Sequence, residues 1–169
     1  MEHVLLGVAA ANTGFMAAWL TIAALDNVCH PFLNEKYAAQ VMDMERMREE
    51  YPEAYEHVAN RRLANSNAQK WFYWFIVFWE LLAMATLWVG VLALVLAMFS
   101  LISPQTALTV ALMGATLFIS IWAGFLVAGN YFCYWFGHEG GQNTHFHMLH
   151  WGLGSILVIV AMIAIFTQS

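Results

Sequence analysis

The sequence predicts an all-α fold, a four-transmembrane-helix bundle with an amphipathic helical cap between its first and second helices. Three observations lead there. Hydrophobic residues make up 62% of the 169 and charged residues only 10%, whereas a soluble domain carries roughly 25% charge. Four apolar runs each reach the roughly 20 residues needed to cross a hydrocarbon core about 30 Å thick. Between the first two runs lies a polar segment that holds all 6 basic residues. Backbone N–H and C=O groups cannot stay unpaired in lipid, so each run is expected to be a helix. Residues 1–169 are read as a single integral membrane domain.

The first span covers about residues 4–25. Met1-Glu2-His3 lacks the basic start of a cleavable signal, and the apolar run is too long for one, so it is expected to remain as an anchor. The second span, about 71–99, reads "WFYWFIVFWELLAMATLWVGVLALVLAMF". Ser103-Pro104-Gln105 turns the chain into the third span, about 106–136, and the fourth covers about 146–166. Aromatic clusters at Trp71–Trp79 and Tyr131–Trp135 stand where an interfacial belt is expected. Gly7, Ala11, Gly14 and Ala18 align on the first span, and Gly124 and Ala128 on the third. Such faces let membrane helices approach closely, and packing inside the bundle is expected of both.

With four spans, both termini share one membrane face. The capping loop 26–70 and the 137–145 loop share the other. In the capping loop Tyr37, Val41, Met44 and Tyr51 recur at helical spacing, and Pro52 can open a second helix with Tyr55, Val58 and Leu63 on its apolar side. Two short helices lying on the membrane face are expected. The basic residues there predict a cytoplasmic cap, a signal diluted by the acidic residues among them.

"GHEGGQNTHFHMLHW", from Gly137 to Trp151, holds four of the 7 histidines. His138, His145, His147 and His150 fall on the capped face together with His30, Cys29, Cys133, Asp26, Asn27 and Glu139. His147 and His150 are three apart on one side of a helix, in a first turn that disfavours a charged imidazole. Thr144 can cap that helix, with Gly140 and Gly141 in a loop before it. Neutral imidazole binds zinc, copper or iron, so the five histidines are candidate metal ligands. Haem fits less well, because the second and third spans contain no histidine. The alternative is a polar helix mouth that binds nothing. Cys29 and Cys133 can pair in an oxidising compartment and stay thiols in the cytoplasm.

Glu80 is the one charge within a span, about 13 Å below the capped face at 1.5 Å per residue. An intramembrane carboxyl is a functional candidate by default. Asn130 and Asn12 are its expected partners, either as packing glue or in a proton-handling or ligand role. No second intramembrane acid forms a relay, and no inverted repeat of the transporter kind is visible. The net charge of -5 offers no basic field to nucleic acid.

"AALDNV" closing the first helix, "VMDME" followed by Pro52 in the cap, and Glu80 among aromatics in "WFYWFIVFWELLAMATLWVG" carry a resemblance. So does the Trp135–Gly137 stretch. The chain resembles the bacterial predicted small integral membrane proteins, a family defined by a domain of unknown function. The resemblance implies a four-helix, multi-pass inner-membrane protein, with Asn27, Glu80 and Trp135 as shared positions and no assigned chemistry. The charged cap and the His-rich "HEGGQNTHFHMLH" depart from the family pattern, which makes the histidines an added feature.

Three functions fit. The first is an accessory or assembly protein without catalysis of its own, embedded in the lipid bilayer and joined to a larger membrane complex or to further copies of itself. The second is a metal- or haem-binding protein using the histidines. The third is a quinone or lipid pocket around Glu80 and Trp79.

Overall fold

The computed structural model describes residues 2–168 and, among them, contains seven α-helices and no strand. They are α1 (Glu2–Cys29), α2 (Pro31–Met42), α3 (Glu45–Glu50), α4 (Pro52–Glu56), α5 (Ser66–Met98), α6 (Pro104–Tyr131) and α7 (Glu139–Gln168). Helices α1, α5, α6 and α7 are long and apolar enough to cross a membrane. The all-α four-span bundle is therefore the fold, and α2–α4 are its cap.

Each boundary has a local cause. A residue before proline is pushed out of helical geometry, and His30 (φ -130°, ψ 53°) separates α1 from Pro31 at the first position of α2. Asn65 starts α5 by accepting from the Asn67 and Ala68 amides, and Ser103 starts α6 by accepting from the Thr106 amide. Both α5 and α6 end in a Schellman motif. At the end of α5, Ser100 takes φ 59° and the Leu101 amide donates to the Leu96 carbonyl. At the end of α6, Cys133 takes φ 53° and the Tyr134 amide donates to the Gly129 carbonyl.

Three boundaries differ from expectation. The third helix stops at Tyr131 although its apolar run continues to Phe136, because the chain folds back over Gly129. A Cβ on Gly129 would lie 2.7 Å from the Tyr134 ring, so the ring occupies the space a side chain would need. Helix α7 starts at Glu139 and takes in Gly140, Gly141 and the last three histidines. Thr144 caps nothing there; its hydroxyl donates to the Gly140 carbonyl one turn back. The cap is three short helices and a 3₁₀ turn (Ala59–Arg61) rather than two helices, broken by Met44 at φ 52°. Burial holds that break: Met44 packs with Met47 and Cys133 under Tyr55 and Phe136.

In sequence order, α1 packs on α5, α5 on α6 and α6 on α7. The closest approach is between α5 and α6. A Cβ on Gly90 would lie 2.9 Å from the Ala111 Cα, and one on Gly114 would lie 3.0 Å from the Leu87 Cα. Gly7 and Gly14 of α1 face Met98 and Val91 of α5, as inward packing requires. Gly124 and Ala128 instead are exposed, with nothing within 4 Å of a Cβ on Gly124. Ala11 and Ala18 are exposed as well. The expected inward packing of those four residues is corrected: the buried small-residue face of α6 is Ala107, Ala111, Gly114 and Ala115.

Opposite the cap, Gln105 donates to the Phe166 carbonyl at 2.7 Å and ties the start of α6 to the end of α7. At the capped end, Arg46 donates to the Gly137 carbonyl and Arg61 to the Tyr131 carbonyl. These bonds hold the cap over the α6–α7 turn.

Candidate ligand-binding site

Asn27, in the last turn of α1, is buried and organises the capped end of the bundle. Its side-chain Nδ2 donates to Glu80 Oε2 at 2.6 Å, and its Oδ1 accepts from Asn34 Nδ2 of α2 at 2.6 Å. Its backbone carbonyl is one of the four that a helix end leaves without an internal partner. The Tyr73 hydroxyl satisfies it at 2.9 Å. Tyr73 and Glu80 stand seven apart on α5, two helical turns, and so reach the same neighbour on α1. One residue thus joins α1, the cap and α5.

Beside this network lies a cavity of about 650 Å³. Its roof is α2, through Tyr37, Ala38, Val41 and Met42. Trp19 and Trp122, edge to face with ring centroids 5.4 Å apart, line it from α1 and α6. Phe72 and Ile76 of α5 and Phe125 of α6 complete an apolar wall. Glu80, Asn27, Asn34 and Asp26 bring polar atoms to the same space. Three further buried groups that line it have no hydrogen-bond partner among the described residues: the Trp122 Nε1, the Tyr134 hydroxyl and the His145 Nδ1. Buried polar atoms are nearly always paired, so a cluster of unpaired ones facing a cavity calls for an explanation.

Each predicted site residue can now be located. Glu80 is buried at 4% exposure, but its partner is Asn27, not the expected Asn130 or Asn12. Asn130 is exposed, and Asn12 accepts from Ser155 of α7 at 3.2 Å. Asp26 is exposed at the cavity rim. Cys29 is exposed, Cys133 is buried, and both are free thiols. His30, Glu139, His147 and His150 are exposed, whereas His138 is buried and His145 is half-buried. The His145 ring stacks on Phe125 at 4.7 Å and on Tyr134 at 5.9 Å. Among the described residues no three His, Cys, Asp or Glu side chains are grouped so as to hold a metal ion. Trp79 donates to Ser120 at 2.8 Å and does not line the cavity, so the tryptophans of Glu80's pocket are Trp19 and Trp122.

Burial pushes the Tyr134 hydroxyl up to about 12, helped by the nearby Tyr37. It therefore stays a neutral donor throughout the physiological range. Tyr37 is also raised by burial, partly offset by Arg46. His138 packs edge-on against the Tyr37 ring at 5.1 Å, and neither ring nitrogen has a partner among the described residues. Burial and then Arg46 hold it below its ordinary 6.5, against the pull of Glu139, Glu50 and Glu45. The folded chain therefore binds fewer protons than the unfolded chain just below pH 6.5, and stability falls as pH falls through that window. Acidification from pH 7.5 to 5.5 is expected to loosen the cap and speed tryptic cleavage at Arg61 and Arg62. His138→Phe should lack most of that increase; an unchanged pH response in the variant would remove His138 as its source.

No curated protein and no solved structure matches the chain. Residues 6–162 match the family described as predicted small integral membrane protein (DUF2165). That match agrees with the resemblance carried by the end of α1, the cap and the aromatic stretch around Glu80. The chain belongs to this family of small integral membrane proteins.

Proposed function

We propose that the protein binds one amphiphilic small molecule within the membrane, holding its polar end at Glu80 and its apolar body between Trp19, Trp122 and Phe125. The observation that carries this reading is the cavity: about 650 Å³, walled by aromatic and aliphatic side chains, with one buried carboxyl and several unpaired polar atoms. Ligand sites in general have that volume, an apolar lining and few converging polar groups. The protein supplies binding rather than bond-making, and its bilayer is the inner membrane with the cap on the cytoplasmic side.

Filling the cavity tests the reading. Wild-type protein purified in mild detergent should retain one amphiphile per chain by native mass spectrometry and lipid extraction. Ala23→Trp, which puts an indole into the cavity from α1, should retain at most about a tenth of that, a loss of roughly 1.4 kcal/mol or more. Equal occupancy of the two proteins would count against the pocket.

A second reading, an accessory subunit of a larger membrane complex, draws on the exposed Gly124 of α6, where a Cβ would meet nothing within 4 Å among the described residues. A flat small-residue face accepts a neighbouring helix. Cysteine cross-linking from position 124 to a partner in native membranes would support it; its absence from all cross-linked species would not.

A further inference from the structure

We infer that the polar end of the ligand is a cation, so that the pocket takes a lipophilic ammonium or phosphonium rather than an anionic lipid headgroup or a neutral carbonyl. This rests on the pocket proposed above and names the chemistry of its occupant. The first ground is charge. Two carboxyl side chains, Glu80 and Asp26, line the cavity, and no lysine or arginine does.

The 6 basic residues all lie outside the cavity lining, five of them between Pro31 and Arg62 and Lys70 near the start of α5. Arg46 and Arg61 are on backbone carbonyls of the α6–α7 turn region. Arg48 and Arg62 pair with Asp43, and Lys70 lies 4.0 Å from Glu35. Lys36 stands on a separate groove with Asp43 and Glu45. A phosphate or carboxylate entering the cavity would meet Glu80 with no counter-charge, in a low-dielectric space where like charges repel strongly.

The second ground is what Glu80 lacks. Its one hydrogen bond comes from the neutral amide of Asn27, and its Oε1 accepts none among the described residues. A carboxylate at this depth is stable when paired with a positive charge. The third ground is the wall itself. Trp19, Trp122, Phe125, Phe72 and Tyr73 surround the space in which that charge would sit. Aromatic faces attract cations, tryptophan most strongly, and quaternary ammonium groups are recognised by such cages. Carboxyl and aromatics therefore favour the same partner.

Tetraphenylphosphonium and tetraphenylborate have nearly the same shape and opposite charge, so comparing them isolates the sign. Titration calorimetry of the full chain in dodecyl maltoside should show one phosphonium bound per chain and borate binding at least about tenfold weaker. Glu80→Gln should weaken phosphonium binding by about tenfold or more, as expected for loss of a buried charged partner. The comparison of the two ions uses wild-type protein, so a Glu80→Gln chain that fails to fold leaves the test intact. Equal binding of both ions, or an unaffected folded Glu80→Gln protein, overturns the cation. Binding of a short-chain benzoquinone without the phosphonium overturns the cation and keeps the pocket. No binding of any probe, with equal amphiphile retention by wild type and Ala23→Trp, overturns both.

Discussion

Asn27→Ala is expected to destabilise the protein by about 2–3 kcal/mol, because it strips a buried carboxyl of the only donor it has among the described residues. The substitution removes two side-chain bonds at once, the 2.6 Å donation to Glu80 and the 2.6 Å acceptance from Asn34. The Tyr73 bond survives, since it ends on the backbone carbonyl. Left behind are a buried Glu80 and a cap amide without its acceptor. Asn34 is exposed and can turn to water, whereas Glu80, buried inside the bundle, cannot recover its bond there. The damage should therefore exceed the value of the bonds themselves: removing one partner of a buried polar pair costs more than removing both. Asn27→Leu with Glu80→Leu should accordingly be less destabilised than the sum of the two single variants, by about 1 kcal/mol or more. Unfolding in mixed micelles, followed by the near-ultraviolet signal, measures all four corners of the cycle. Strict additivity would mean that Asn27 and Glu80 do not act as a pair.

Which of these features could be read from the sequence depends on the range of the interaction that makes them. The four spans were legible because crossing lipid is a property of each helix alone, set by about 20 apolar residues. Glu80 was legible for the same reason, as a charge where none is expected. Its partner was not. Depth along the helix pointed to Asn130 and Asn12, but a partner must share an azimuth as well as a depth, and Asn130 turns outward. The seven-residue spacings Asn27–Asn34 and Tyr73–Glu80 were available as a signal, though only Tyr73 and Glu80 stand two turns apart on one helix. What hid the first is Pro31, which breaks α1 from α2 between the two asparagines. The cavity was illegible because it depends on α2 lying across the mouth of the bundle and on Tyr134 folding back over Gly129. For the histidines, helical phase matters as much as proximity in sequence. Sequence proximity gathered them into one cluster, but once α7 starts at Glu139, helical rotation sends His147 and His150 to the surface and turns His145 toward Phe125.

Gly90→Leu should be the most damaging change in the membrane-spanning core, costing about 3 kcal/mol or more, whereas Gly124→Leu should stay within about 1 kcal/mol of wild type. The two positions look alike in sequence, each a glycine in a long apolar helix. At Gly90 even a methyl group would come within 2.9 Å of the Ala111 Cα, and the obstacle is backbone, which cannot rotate away. A leucine there must force α5 and α6 apart along their length. That in turn lifts Leu87 from Gly114, the reciprocal contact one turn further on. In lipid this loss is not offset by any gain from hiding apolar surface, since the acyl chains are as apolar as the side chains; close packing is what holds the helices together. At Gly124 a side chain meets nothing within 4 Å and simply points outward, while the helix loses a flexible residue. Thermal unfolding of the two variants beside wild type in the same detergent decides the matter. Equal stability of both would place the α5–α6 contact further apart than the Gly90–Ala111 approach. A large loss at Gly124 instead would show that its outer face is occupied in the assembled protein, and would give the accessory reading its first direct support.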